Sequence, residues 1–321
     1  MKKTLFAIGC LVQWYEIEIY EEYLNSLIDS IHDDKSRIYI DICLVTNQEL
    51  EKISDSKDLL GDVLSKFLKI TNVYKQQGYN IKSTITDNLV TIADYRREFN
   101  ETYCEIVDVL VWGETDMLVP KQMFTSLDIL HQNIDTPKYL ATFSICKMWD
   151  KSWEVLEHPD FTDKPFIEND YDNWWSLKYT MSVDEMNKIN DKYSDLGVII
   201  APKHKFNGCG LVISSEVIKA GVNIPKSVFF VHEDTSFMLM TNKVLGNIPQ
   251  YIIKNILVVH NRNHPKKRMY IQGEREDGSM NQKRRSNEWY VKANKMSEQN
   301  CYNIFNPDYK SYTWKDVWST V

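Results

Sequence analysis

Through its first half the chain alternates between continuous apolar runs and stretches where apolar residues recur every three or four positions. Thr4 to Val12 is a run of the first kind, as in a strand buried on both faces. Ile17, Tyr20, Leu24, Leu27, Ile28 and Ile31 then form a single stripe at helical spacing. Arg37 to Val45 predicts the second strand, and Thr46 with Glu49 has the spacing of a capping box opening the next helix. A lysine-bearing helix follows around Asp58 to Gln77, then a short strand over Asn80 to Ile85. Leu89, Ile92, Ala93, Arg96 and Phe99 mark another amphipathic helix, and Glu105 to Trp112 a strongly apolar strand. This βαβαβ order predicts an α/β fold with a mixed, mostly parallel sheet and helices on both faces.

The second half is less regular. Pro120 starts a helix at its first turn, Lys138 to Met148 reads as a strand, and residues 149 to 181 read as long loops. Ser182 and Glu185 make a second capping box. Further strands are expected near Leu211 to Ser214, Val228 to Val231 and Tyr251 to Val259. Residues 261–321 read as a C-terminal extension packed on a domain formed by residues 1–260.

Composition changes this picture in three places. The hydrophobic fraction of 43% and charged fraction of 26% are those of a soluble globular protein. A net charge of -7 argues against a protein that coats nucleic acid through bulk electrostatics. The stretch from Asn261 to Lys295 is nevertheless cationic: it holds Arg262, Lys266, Lys267, Arg268, Arg275, Lys283, Arg284, Arg285, Lys292 and Lys295. The six cysteines form no close-spaced pair, and most sit in apolar runs like reduced core thiols, which points to a reducing, cytoplasmic compartment. Met1-Lys2-Lys3 and the apolar run to Cys10 mimic a short signal peptide. The apolar core is short, however, and runs straight into an amphipathic helix, so the segment is read as the first buried strand. No run approaches the length of a membrane span.

The chain has no G-x-G-x-x-G after the first strand and no G-x-x-x-x-G-K-[ST], which speaks against a dinucleotide oxidoreductase or a P-loop NTPase. With only eleven glycines, a metal is the natural substitute for backbone cradling of phosphate. The best metal candidate is Val109-Leu110-Val111-Trp112-Gly113-Glu114-Thr115-Asp116, an apolar strand ending in two carboxylates. Ligands of open α/β sheets lie outside the carboxyl ends of strands, where a hard cation bridges phosphate oxygens. A solvated acidic turn explains the pattern equally well. Gly208 and Gly210, flanking Cys209 before an apolar strand, let a substrate approach the backbone. Val231-His232-Glu233-Asp234 again joins an apolar run to two carboxylates; Asp234 is suited to an N-cap or to general base work. Finally, Ile256 to Val259 leads into His260, with His264 close behind.

In this order the motifs resemble inverting GT-A glycosyltransferases of the family 2 type, over roughly residues 4 to 264. The resemblance implies a Rossmann-like nucleotide-sugar-binding domain. It further implies Mn2+ or Mg2+ on the sugar diphosphate of a donor, a UDP-sugar in the first instance. It assigns Asp116 to the metal, with Glu114 in place of the usual first aspartate and contacting ribose or metal-bound water. It assigns Asp234, with Glu233 beside it, to base catalysis, and His260 (alternatively His264) to the metal. Nucleotide contacts are expected from Val12, Gln13, Thr46, Asn47, Arg96 and Arg97. Arg96 lies on the apolar face of its helix, so it is buried either against the donor's anion or in an internal salt bridge.

For the acceptor, the basic segment with Tyr270, Trp289 and Tyr290 has the character of a phosphate-tracking surface carrying stacking platforms. The chain is also similar in style to glycosyltransferases of large tailed phages, some of which decorate hydroxymethylated cytosines in DNA. That implies double-stranded DNA as partner, in a host cytoplasm, with Lys283, Arg284 and Arg285 at the interface. Polysaccharide, lipid-linked glycan and protein acceptors are the alternatives. A nucleotidyltransferase would carry a Gly-rich basic loop where this chain has Gln13-Trp14-Tyr15-Glu16. A non-catalytic sugar- or DNA-binding protein would have little use for acids at three strand ends.

Overall fold

A computed structural model of the chain describes residues 3–32, 34–50, 56–145, 158–160, 182–201, 206–260 and 288–319. Its centre is β1 (Phe6–Gln13), which pairs in parallel with β2 (Ile38–Val45) on one side and β4 (Val109–Trp112) on the other. Beyond β2 lies β3 (Ile81–Thr86), also parallel. The connections are α1 (Ile17–Asp29), α2 (Ser56–Gln76) and α3 (Ile92–Tyr103). The apolar segment from Phe6 is therefore an interior strand, as expected from its continuous hydrophobic run.

Side chains alternate across β1, and each face has its own core. Phe6, Ile8, Cys10 and Val12 pack with Tyr20, Leu24 and Leu27 of α1 and Phe67 of α2. Ala7 and Leu11 pack on the opposite face with Ala93, Phe99 and Tyr103 of α3. Gly9 lies between Ala7 and Leu11, and a Cβ there would fall 2.6 Å from the Phe99 ring. The missing side chain is what lets α3 settle onto the strand.

After β4 the chain forms β5 (Met117–Leu118), α4 (Met123–Asn133), β6 (Leu140–Ile145), α5 (Val183–Asn190), β7 (Val198–Ile200) and β8 (Leu211–Ser214). Then come α6 (Ser215–Lys219), α7 (Glu233–Leu245), β9 (Gln250–His260), α8 (Glu288–Tyr302) and α9 (Trp314–Trp318). The sheet order is β3-β2-β1-β4-β8-β6-β9-β5, with β7 also on β9. β8 runs antiparallel to both β4 and β6, whereas β6 and β9 are parallel. The sheet is thus mixed and mainly parallel in its N-terminal half, as the element order predicted.

Several local expectations are corrected. Thr46 and Glu49 form no capping box: the Thr46 hydroxyl donates to the Thr86 carbonyl, and the Glu49 amide to Asn47 Oδ1. Residues 105–108 form a turn and coil rather than the start of a strand, with Ile106 exposed. Pro120 stands one turn ahead of α4, whose Met123 amide donates to the Pro120 carbonyl. Val228 to Val231 is not a strand. Its carbonyls at Val228 and Val231 accept from Arg97 and Ser297, and Phe229 and Phe230 pack against Trp289, Trp314 and Val317 of the two C-terminal helices. Side chains there do what a neighbouring strand would otherwise do. The capping box at Ser182 and Glu185 is present. The expected loops over residues 149–181 fall almost wholly outside the described residues. Among the described residues no helix is long and apolar enough to cross a membrane, and Cys10, Cys43, Cys104, Cys209 and Cys301 are buried and not in disulfides.

Gly9→Ala tests the α3–β1 packing. It is expected to destabilise the protein by about 1–3 kcal/mol through overpacking, read as a lower urea midpoint, and Phe99→Leu in the same background should restore part of the loss. An unchanged midpoint would contradict the tight contact.

Candidate active site at the ends of β4 and β9

Two strand ladders bring distant acids to one place. After β4 the Gly113 amide donates to the Gly9 carbonyl (2.8 Å), and a turn follows in which the Met117 amide donates to the Glu114 carbonyl (3.0 Å). The chain then re-enters the sheet as β5, antiparallel to the end of β9, with Met117 opposite His260. Glu114 and Asp116 sit in that turn, so the pairing carries both to His260. Its Nε2 lies 3.0 Å from Glu114 Oε2 and 3.1 Å from Asp116 Oδ2. Asp116 and His260 are almost fully buried, which excludes the solvated acidic turn.

The β4–β8 ladder supplies the next residues. The Gly210 amide donates to the Trp112 carbonyl (2.8 Å), placing residues 208–210 beside Glu114. Gly210 adopts φ +70°, a left-handed conformation suited to glycine. Gly208 has a different task from the one expected of it. A Cβ there would lie 2.0 Å from Arg96 Nη1, so this glycine opens the backbone to a guanidinium of the same chain.

Arg96 is 1% exposed and resolves its two alternatives as an internal salt bridge. Nη2 donates to Glu114 Oε1 (2.7 Å) and to the Gly208 carbonyl (3.0 Å), and Nη1 to Glu233 Oε1 (2.5 Å). The guanidinium also lies 4.7 Å from the Trp112 ring centroid. One buried cation therefore joins the turn after β4, the lead into β8 and the first turn of α7.

Asp234 lies in that first turn and is half-buried. It is not the N-cap: His232 holds that position, and Asp234 Oδ1 accepts from the Thr235 amide (2.6 Å). His232 has φ +70°, and among the described residues it is the one non-glycine with positive φ. Such a backbone costs about 1–2 kcal/mol and persists where the surroundings impose it. Here they do. Arg97 donates to the carbonyls of Ile224, Pro225 and Val228, and from α8 Asn300 and Ser297 donate to those of Ser227 and Val231. Arg97, expected at the nucleotide, is thus engaged in holding the segment that delivers Glu233 and Asp234.

The remaining expected nucleotide contacts stand at strand ends but bond within the chain. Val12 is buried, and Gln13 Nε2 donates to the Val90 carbonyl (3.4 Å). Thr46 and Asn47 donate to the carbonyls of Thr86 and Asp87. His264, Lys283, Arg284 and Arg285 lie outside the described residues.

Four carboxylates gather around one guanidinium and one imidazole, and the proton affinities of the two glutamates diverge. Burial pushes Glu114 up, but His260 and Arg96 overcome it and hold the carboxyl down at about 2. Burial and the neighbouring Asp234 charge push Glu233 up to about 7, against Arg96. The excess of negative charge suits a divalent cation: Glu114 and His260 present ligand atoms close enough to share one, and Asp116 lies against His260.

No protein-family profile and no curated protein matches the sequence. Solved structures do match. A mannosyltransferase from Pyrobaculum calidifontis, in complex with GDP-Man and Mn2+, has a TM-score of 0.53 at 8% identity, over 98% of this chain and 68% of that one. GalNAc-T7 with UDP, GalNAc and Mn2+ has a TM-score of 0.50 at 10% identity, over 99% of this chain and 53% of that one. TarS from S. aureus in complex with UDP has a TM-score of 0.47 at 10% identity, over 79% of this chain and 60% of that one. The chain therefore spans between 53% and 68% of these solved chains, and 42% of a longer TarS structure. The first two likenesses show a GT-A fold.

The pH dependence of stability follows from the two glutamates. Between its ordinary value of 4.5 and about 7, Glu233 keeps a proton in the folded chain that the unfolded chain has released, so its contribution to stability falls as pH rises through that window. Glu114 acts oppositely: its contribution is complete above 4.5 and is lost as pH falls toward 2. Without added metal, Glu233→Gln should flatten the decline between pH 4.5 and 7 and leave the acid limb, measured by urea midpoints across pH. An unaltered slope would contradict the raised Glu233.

Proposed function

We propose that the chain is a metal-dependent glycosyltransferase that moves a sugar from a nucleotide-diphosphate sugar to a hydroxyl group with inversion. The convergence of Glu114, Asp116 and His260, bridged by Arg96 to the α7 turn that carries Asp234, supports this reading most strongly. When bound, Mn2+ or Mg2+ there supplies positive charge opposite the leaving diphosphate. The chain's own residues do the rest. Arg96 fixes the positions of Glu114 and Glu233, and Asp234 accepts the proton of the attacking hydroxyl. With Glu233 held on Arg96, the half-buried Asp234 is the better placed base of the pair. Direct displacement at the anomeric carbon, with no enzyme nucleophile, inverts its configuration. The GT-A neighbours at TM-scores of 0.53 and 0.50 are complexes with Mn2+ and GDP-Man or UDP, which supports a nucleotide-sugar donor, with UDP-sugars the first to test. Whether the sugar is a hexose or a pentose is read from the same donor screen.

For the acceptor, the cationic run from Arg262 to Lys295 suits the phosphates of double-stranded DNA, and the likeness to phage glycosyltransferases suggests its hydroxymethylated bases as the hydroxyl group. Polysaccharide, lipid-linked glycan and protein acceptors are assayed beside it. A nucleotidyltransferase would release pyrophosphate from a nucleoside triphosphate, and a non-catalytic sugar- or DNA-binding protein would bind without turnover.

A screen of UDP-, GDP- and CDP-sugars with Mn2+, with and without modified DNA, tests the proposal. Asp116→Asn should abolish metal-dependent donor binding. Asp234→Asn should retain donor binding and reduce transfer by roughly 10²–10⁴-fold. Normal transfer by both variants would overturn the site assignment. Charge reversal at Lys283, Arg284 and Arg285 should weaken duplex binding and flatten its salt dependence; an unaltered salt slope would remove DNA as the acceptor.

A further inference from the structure

Glu114, Cys209 and His260 present a carboxylate oxygen, a thiol sulfur and an imidazole nitrogen that all lie within 4.8 Å of one another. Among the described residues no other three His, Cys, Asp or Glu side chains form such a set. Asp116 reaches His260 at 3.1 Å but is not part of it. The sulfur is placed by backbone that cannot easily shift. On one side Gly208 abuts the buried Arg96 guanidinium; on the other Gly210 is left-handed and bonded to the Trp112 carbonyl. The Cys209 amide itself donates to Asn207 Oδ1 (2.9 Å). Cys10 and Cys301 are equally buried, yet neither belongs to a set with a carboxylate and an imidazole.

We propose that Cys209 is a ligand of the cation at this centre, so that the site takes Mn2+, Co2+ or Zn2+ and discriminates against Mg2+. This rests on the metal centre of the proposed function and sharpens it. Mg2+ demands a near-octahedral shell of oxygens, whereas sulfur beside imidazole and carboxylate suits borderline transition ions. Coordination replaces the S–H bond by a metal–sulfur bond and releases the proton to solvent. Nothing in the apolar pattern around Gly-Cys-Gly distinguishes such a ligand from a core thiol, because the partners come from β9 and from the turn after β4.

Co2+ titration of the full chain, without donor or acceptor, tests the idea through the near-ultraviolet sulfur-to-cobalt charge-transfer absorption. The wild-type protein should develop that band, and a large excess of Mg2+ should not remove it. Cys209→Ser should lose the band and bind Co2+ at least as much weaker as the roughly 10–100-fold that removing even an outer partner of a metal ligand costs. Thermal melts of the variant without metal confirm that it is folded. Should that variant not fold, Cys209→Ala, which should lose the band, and Cys10→Ser, which should keep it, decide the matter. Co2+ binding to the wild type without the band, a band that persists in Cys209→Ser, or ready displacement by Mg2+ would each overturn the thiolate ligand while leaving the glycosyltransferase reading intact. Absence of any Co2+ or Mn2+ binding would overturn both.

Discussion

A single buried positive charge holds the candidate site together. Arg96 is almost wholly removed from solvent, and a guanidinium in that position is tolerable only when its charge is compensated. Its two Nη nitrogens bond Glu114, Glu233 and the Gly208 carbonyl, and its face lies over Trp112. Removing one side of such an arrangement costs about 3–5 kcal/mol, because the other charges stay buried without compensation. Phe99 lies three residues along α3 from Arg96, and its ring fits against β1 only because residue 9 has no side chain.

The rest of the geometry is a consequence of sheet topology. Inserting β8 antiparallel to β4 brings its leading glycines to the carboxyl end of β4, and the short β5 folds the acidic turn back onto the end of β9. α7 has no ladder to position it. It is held from both sides, by Arg97 on α3 and by Ser297 and Asn300 on α8, across a segment that ends in the strained backbone of His232. The C-terminal helices are therefore part of the support for Asp234, through the Phe229 and Phe230 side chains they cover.

Much of this was legible in the sequence where a residue's pattern is set by its own element. Continuous apolar runs identified β1, β2, β4, β8 and β9, and helical stripes identified α1 and α3, because burial imposes those periods directly. Glu114, Asp116, Asp234 and His260 were legible as acids and a histidine closing apolar runs. What stayed hidden depends on partners far along the chain. β5 is only Met117–Leu118, too short to carry a period, yet it decides that Asp116 meets His260. Phe229-Phe230 has a strand's hydrophobicity but is buried by helices. Gly208 reads as access for a substrate until Arg96 occupies the space. Arg96 and Arg97 are neighbours with the same chemistry; only tertiary structure separates the one that organises acids from the one that holds carbonyls.

The central claim, that side chains from separate strands meet at one cation beside a nucleotide diphosphate, is open to a direct spectroscopic test. Pulsed electron paramagnetic resonance of Mn2+ bound to the protein with UDP reads the nuclei next to the ion. Coupling to an imidazole ¹⁴N that disappears in His260→Gln, together with coupling to ³¹P, is the predicted result. Bound Mn2+ that shows phosphorus but no nitrogen coupling, or a nitrogen coupling that survives the loss of His260, would contradict it.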